Sequence, residues 1–131
     1  MDYYVIMRYL GLDVGLKRTG VAFADSEDDI LFSLETISHS SMEELLSTVR
    51  TLATERNIDE VVVGLPLLPS GKKGAQAQIV LKFAEALQEA KILHSLLDER
   101  YTSTSQKDLD KDAVAACQIL AVKLQKKSDI C

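Results

Sequence analysis

Two periods run through the pattern of apolar and polar positions, and the switches between them mark out the elements. Leu10, Leu12 and Val14 alternate with small or polar neighbours, the period of a half-buried strand. Val21, Ala22 and Phe23 begin a second strand, so residues 9–24 read as a hairpin closed by Gly15 and Gly20 around a basic loop. A looser alternation over residues 30–37 predicts a third strand, after an acidic turn at Ser26, Glu27, Asp28 and Asp29. The period then lengthens. Met42, Leu45, Leu46, Val49, Leu52 and Ala53 follow helical spacing, and Ser41 with Glu44 forms a capping box ahead of them.

Residues 60–63 are a continuous run of the kind buried on both faces of a parallel sheet, and Pro66 ends it. Residues 75–90 predict a second helix, with Ile79, Val80, Phe83, Ala84 and Leu87 on one stripe. Residues 92–97 predict a fifth strand, in which His94 is a packed core residue. Asp112 opens a third helix whose Ala113, Ala116, Cys117, Leu120 and Leu124 share a face. His39 falls in a linking turn with no evident partner.

The order β-β-β-α-β-α-β-α implies an α/β domain with a mixed five-stranded sheet. The first three strands form an antiparallel meander; the last two need helical crossovers and so run parallel to the first. Helices then cover both faces. No repeat, linker or low-complexity segment divides the chain, and 131 residues suit a single domain over 1–131.

Composition narrows the function. A 47% hydrophobic and 27% charged chain is ordinary for a soluble globular protein. It has neither a signal-peptide pattern nor an apolar run of membrane-spanning length, so no membrane partner is expected. Cys117 and Cys131 lack metal-type spacing, which speaks against a zinc site or a disulfide scaffold and for a cytoplasmic setting. A net charge of −5 excludes a surface coated in positive charge. It leaves room for a local basic rim from Lys17, Arg18, Lys72, Lys73 and Arg100.

The chemistry starts at Asp13, a carboxylate within an apolar strand, which is costly unless a turn or a cation engages it. Ligands of such sheets gather beyond the carboxyl ends of the parallel strands. Asp13, Glu99 and the start of the last helix, at Asp112, can converge there. Three clustered carboxylates repel one another without a cation, and two hard divalent ions are what such a set traps. Position leaves rivals open: Asp98 for Glu99, Asp108 and Asp110 for Asp112, and a plain helix-start role for Asp112 itself.

Four blocks resemble one known family. They are Gly11-Leu-Asp13-Val-Gly15-Leu-Lys-Arg18-Thr-Gly20-Val-Ala, Val62-Val-Gly-Leu-Pro-Leu67, Asp98-Glu-Arg-Tyr-Thr-Ser103 and Lys111-Asp112-Ala-Val-Ala-Ala116. Together they look like the YqgF/RuvX family, ribonuclease H-like proteins described as Holliday junction resolvases and as nucleases maturing the 5′ end of pre-16S rRNA. Gly71, Gly74, Gln76 and Gln78 resemble the loop that follows the family's Gly-Leu-Pro-Leu block. The resemblance implies catalytic and metal-binding carboxylates at Asp13, Glu99 and Asp112, with Mg2+ or Mn2+, two ions, as cofactor. It also implies a nucleic-acid substrate, precursor rRNA or branched DNA, and a link to ribosomal particles. One feature departs from the family: only twelve residues, 100–111, separate the Asp-Glu-Arg block from Asp112, where relatives carry a longer lysine-rich stretch.

Two other function classes compete. A sugar-kinase or actin-type ATPase also follows an early Asp-x-Gly hairpin, but needs two such domains around its nucleotide. A non-catalytic adaptor of the same fold, binding nucleic acid or ribosomal partners, fits the acidic pI and the shortened segment.

Overall fold

The computed structural model describes residues 6–28, 30–67, 70, 73–98 and 111–124, without the side chains of 111–113. Strands β1 (Arg8–Val14), β2 (Arg18–Asp25), β3 (Ile30–Ser33) and β4 (Ile37–Ser38) come first. Then follow α1 (Met42–Glu55), β5 (Glu60–Leu65), α2 (Ala75–Glu89), β6 (His94–Asp98) and α3 (Lys111–Lys123). The sheet order is β3-β2-β1-β5-β6, with β4 also paired to β2. β1, β2 and β3 are antiparallel neighbours, and β5 and β6 are parallel to β1.

Two expectations need correction. Among the described residues the sheet has six strands, because the single strand expected over 30–37 is two pieces: β4 leaves β3 after Ser33 and pairs with the start of β2. The hairpin is also tighter than expected. β2 begins at Arg18, so only Gly15, Leu16 and Lys17 separate the strands. Thr19 and Gly20, which look like turn residues, are buried in the ladder opposite Val14 and Asp13.

Strand alternation divides β1 between two cores. Leu10, Leu12 and Val14 join Leu45 and Val49 of α1 and Val80, Phe83 and Leu87 of α2 on one face. On the other face Ala22, Ala24 and Val62 meet Ala116, Cys117, Ile119, Leu120 and Ala121 of α3, with Tyr9 alongside. Val61 and Val63 go to the first core and Val62 to the second, which is why no polar residue falls between Val61 and Val63. Cys117 is buried in the α3 core.

Gly11 sets the distance between β1 and α3. A Cβ there would lie 2.6 Å from Leu120 Cγ and 3.1 Å from the Ala116 carbonyl oxygen, so any side chain would push the helix away. The capping box forms with a shift: Ser41 Oγ accepts from the Glu44 N–H at 3.1 Å, and Glu44 reaches back to the N–H of Ser40, at 3.0 Å, not to that of Ser41.

The far end of the sheet is tied by charge. Arg8 Nε donates to Asp25 at 3.2 Å and its Nη1 to the Arg56 carbonyl at 3.3 Å, while the Arg8 N–H donates to Asp59 at 2.9 Å. Lys123, at the end of α3, pairs with Glu60 at 3.4 Å. Gly11→Ala is expected to cost about 1–3 kcal/mol through overpacking. Denaturant unfolding checks it, and the loss should shrink when Leu120 is also cut to alanine.

Candidate active site

Asp13 sits at the carboxyl end of β1, half-buried and paired with Gly20 across the ladder. Tyr9 and Gly11, four and two residues before it, face α3, so the alternation turns Asp13 to the α3 side as well. The direction of α3 follows from its contacts. Its Lys123 end pairs with Glu60, which is level with Tyr9 at the start of the parallel strands. Its Ala116 turn lies over Gly11. The helix therefore runs antiparallel to β1, and its first residues reach the carboxyl edge. From Ala116 back to residue 112 is about 6 Å of helix, and from Gly11 on to Asp13 about 7 Å of strand. The backbone of Asp112 and the strand position of Asp13 are thus level with each other.

Glu99 lies outside the described residues, and so do Arg100, Lys72, Gly71, Asp108 and Asp110. The strand that leads to Glu99 is informative. Leu97 packs into the α3 core, so Asp98 is on the opposite side of β6 from Leu97 and from Asp13.

Of the proposed basic rim, Lys17, Arg18 and Lys73 are described and exposed. The first two belong to the hairpin tip beyond Asp13. Lys73 bridges to Leu67 past the end of β5, just ahead of α2. All are at the edge that carries Asp13.

The acids that do gather among the described residues are Asp25, Glu27 and Asp28, with ligand atoms within 4.8 Å of one another. Arg8 and Asp25 are partners in the β1–β2 register, so this group is at the other edge of the sheet, a full strand length from Asp13. Asp25 there pairs with Arg8 and accepts the Glu27 N–H at 2.9 Å. The turn accounts for it.

His39 has a partner that its sequence position does not reveal. It is 5% exposed, and its Nε2 is 2.8 Å from Thr19 Oγ1; its Nδ1 is buried without a partner among the described residues. The His39 N–H donates to the Lys17 carbonyl at 2.9 Å. Gln76, at the start of α2, donates to the Val14 carbonyl. His94 is half-buried, with Nδ1 2.9 Å from the Ile92 carbonyl. The pairing of Thr19 and His39 depends on β4 bending back to β2, a contact between positions 20 apart that no local pattern encodes.

A family profile described as RuvX, Holliday junction resolvase, matches residues 7–126. The chain belongs to the RuvX family. A Chloroflexus aurantiacus protein named "Putative pre-16S rRNA nuclease" is 39% identical over 101 residues, 76% of this chain and 66% of the relative. A Synechocystis protein of the same name is 42% identical over 97 residues, 72% of this chain and 62% of the relative. The matched stretch thus spans just under two thirds of these relatives. Among solved structures, Thermus thermophilus RuvC in complex with a Holliday junction substrate superposes with a TM-score of 0.60 at 13% identity, covering 91% of this chain and 95% of RuvC. That likeness concerns the fold, which is ribonuclease H-like. No described helix is long and apolar enough to cross a membrane.

Thr19→Val leaves the buried His39 ring without its hydrogen bond and is expected to cost about 1–3 kcal/mol. Thermal unfolding should show a Tm several degrees lower; an unchanged Tm would mean that the bond contributes nothing net.

Proposed function

We propose that this RuvX-family chain is a metal-dependent nuclease that hydrolyses phosphodiester bonds in structured nucleic acid. The substrate that fits best is the 5′ region of precursor 16S rRNA, since the relatives that match most of this chain carry that name. The observation that carries the reading is the placement of Asp13, on the α3 side of the carboxyl edge and level with the first turn of α3. Branched DNA is the second substrate, favoured by the family's description.

In this reading Asp13, Glu99 and Asp112 are the catalytic carboxylates and hold magnesium or manganese. Hard divalent cations take carboxylate oxygens, and the donor set is of that chemistry. Such ions, when bound, activate water and neutralise charge on the departing oxygen. The protein supplies position. Asp13 is on a strand packed into both cores, and Asp112 on a helix whose spacing from that strand Gly11 controls. Glu99 is preferred to Asp98 because Asp98 is on the face of β6 opposite to Leu97 and α3. Lys17, Arg18 and Lys73, with Lys72 and Arg100, attract the phosphate backbone to this edge. The work takes place in the cytoplasm, on ribosomal precursor particles.

Single-turnover cleavage of pre-16S rRNA and four-way DNA junctions, with magnesium, manganese or EDTA, tests the reading. Cleavage is expected with metal, and to be lost in Asp13→Asn, Glu99→Gln and Asp112→Asn while binding persists. Cutting that survives all three substitutions would overturn the assignment. Binding without any cleavage would favour the adaptor.

Metal should also stabilise the fold by about 2.7 kcal/mol at a hundredfold excess over Kd. The rise in Tm should vanish in Asp13→Asn. Because the segment over 100–111 is short and its relatives' lysines are missing, cleavage should need low salt, and neutralising two rim cations should lower the salt slope by about one per lost contact.

A further inference from the structure

The hairpin tip between β1 and β2 carries an apolar side chain among charges. Leu16 is 62% exposed, with exposed Lys17 and Arg18 immediately after it. A lone exposed leucine is ordinary on a protein surface. What distinguishes this one is how firmly the backbone on each side of it is held. Before it, the Val14 carbonyl accepts from Gln76 of α2. Gly15 closes so tightly on the end of the tip that a Cβ there would lie 2.4 Å from the Arg18 carbonyl oxygen. After it, the Lys17 carbonyl accepts from the His39 N–H at 2.9 Å, Arg18 pairs with Ser38 of β4, and Thr19 is bonded to the buried His39 ring. Strand, helix and the β4 bend thus anchor one short tip. A mobile loop would let Leu16 fold back onto apolar surface. This tip holds it out in water.

We propose that Leu16 is a substrate-positioning wedge, which inserts against an unstacked base while Lys17 and Arg18 hold the flanking phosphates. The proposal rests on the nuclease reading above and names its substrate feature: a boundary between paired and unpaired strand, where parting a base step is cheapest. Leucine is among the side chains proteins use to part base steps. Leu16 follows Asp13 by three residues in one hairpin, so its backbone lies at most about 10 Å away. At about 3.4 Å per nucleotide along a strand, the wedge works within about three nucleotides of the scissile bond. A junction in RNA and a branch in DNA both offer this feature.

The test uses the full chain with calcium in place of magnesium, and RNA and DNA substrates that join duplex to single strand. 2-Aminopurine is placed in turn at each position across the boundary. Binding of the wild-type chain is expected to raise the fluorescence at a position next to the boundary. Leu16→Ser should abolish that rise and weaken junction binding roughly tenfold, within the range measured for stacking contacts. Binding to fully paired duplex should change less than twofold, and Leu16→Phe should restore the fluorescence. A rise in only one of the two nucleic acids supports the wedge and identifies the substrate. A fluorescence rise that persists in Leu16→Ser, or no rise in a wild-type chain that binds normally, overturns the wedge and leaves the nuclease reading intact. A wild-type chain that binds neither substrate overturns both.

Discussion

The close approach of β1 and α3 at Gly11 is the constraint on which the rest depends. With no side chain at this position, the strand backbone comes against Leu120 and the Ala116 carbonyl. That contact fixes both the separation and the axial register of the helix. Axial register matters because helix and strand run in opposite directions. One residue of slip along the helix would move its first turn by about 1.5 Å relative to Asp13. Positional tolerances in catalytic sites are of order 0.5 Å, so a small packing error in the core becomes a large one at the edge.

Charge distribution follows the same axis. The opposite edge is tied by Arg8, Asp25, Asp59, Glu60 and Lys123. These bonds neutralise acids near the acids' own strands and hold the end of α3. The carboxyl edge instead carries the exposed cations Lys17, Arg18 and Lys73 around Asp13. In a chain of net charge −5 this edge still carries exposed cations, while several acids are paired at the far edge.

Much of this was legible in the sequence because it rests on local periodicity. The alternation of Leu10, Leu12 and Val14 set the face of β1, and the helical stripes of α1 and α2 reappear as one core. The parallel direction of β5 and β6 followed from their helical crossovers. What escaped was non-local. Thr19 and Gly20 look like turn residues because threonine and glycine are common there, yet the β2 ladder extends through both. The split of the third strand into β3 and β4 depends on the pairing of Ile37 with Thr19, which no local pattern records. His39 was unreadable for the same reason. The face of Asp98 was not legible either, since alternation separates two neighbours without saying which way each turns; the packing of Leu97 against α3 puts Asp98 on the other side of β6.

The segment between β6 and α3 can be regarded as a variable of design. Its anchors, Asp98 and Lys111, belong to elements whose places are set by the two cores and by the Glu60–Lys123 pair at the other end of α3. The entropic cost of joining two fixed anchors changes by only about 0.6 kcal/mol for each doubling of the chain length between them. Chains of this family can therefore gain or lose residues here at little thermodynamic cost while the carboxylate positions on β1 and α3 stay where they are. Length here can thus vary separately from the packing that positions β1 and α3. In this chain that segment is twelve residues long, and its length is free to differ without moving the two elements that it joins.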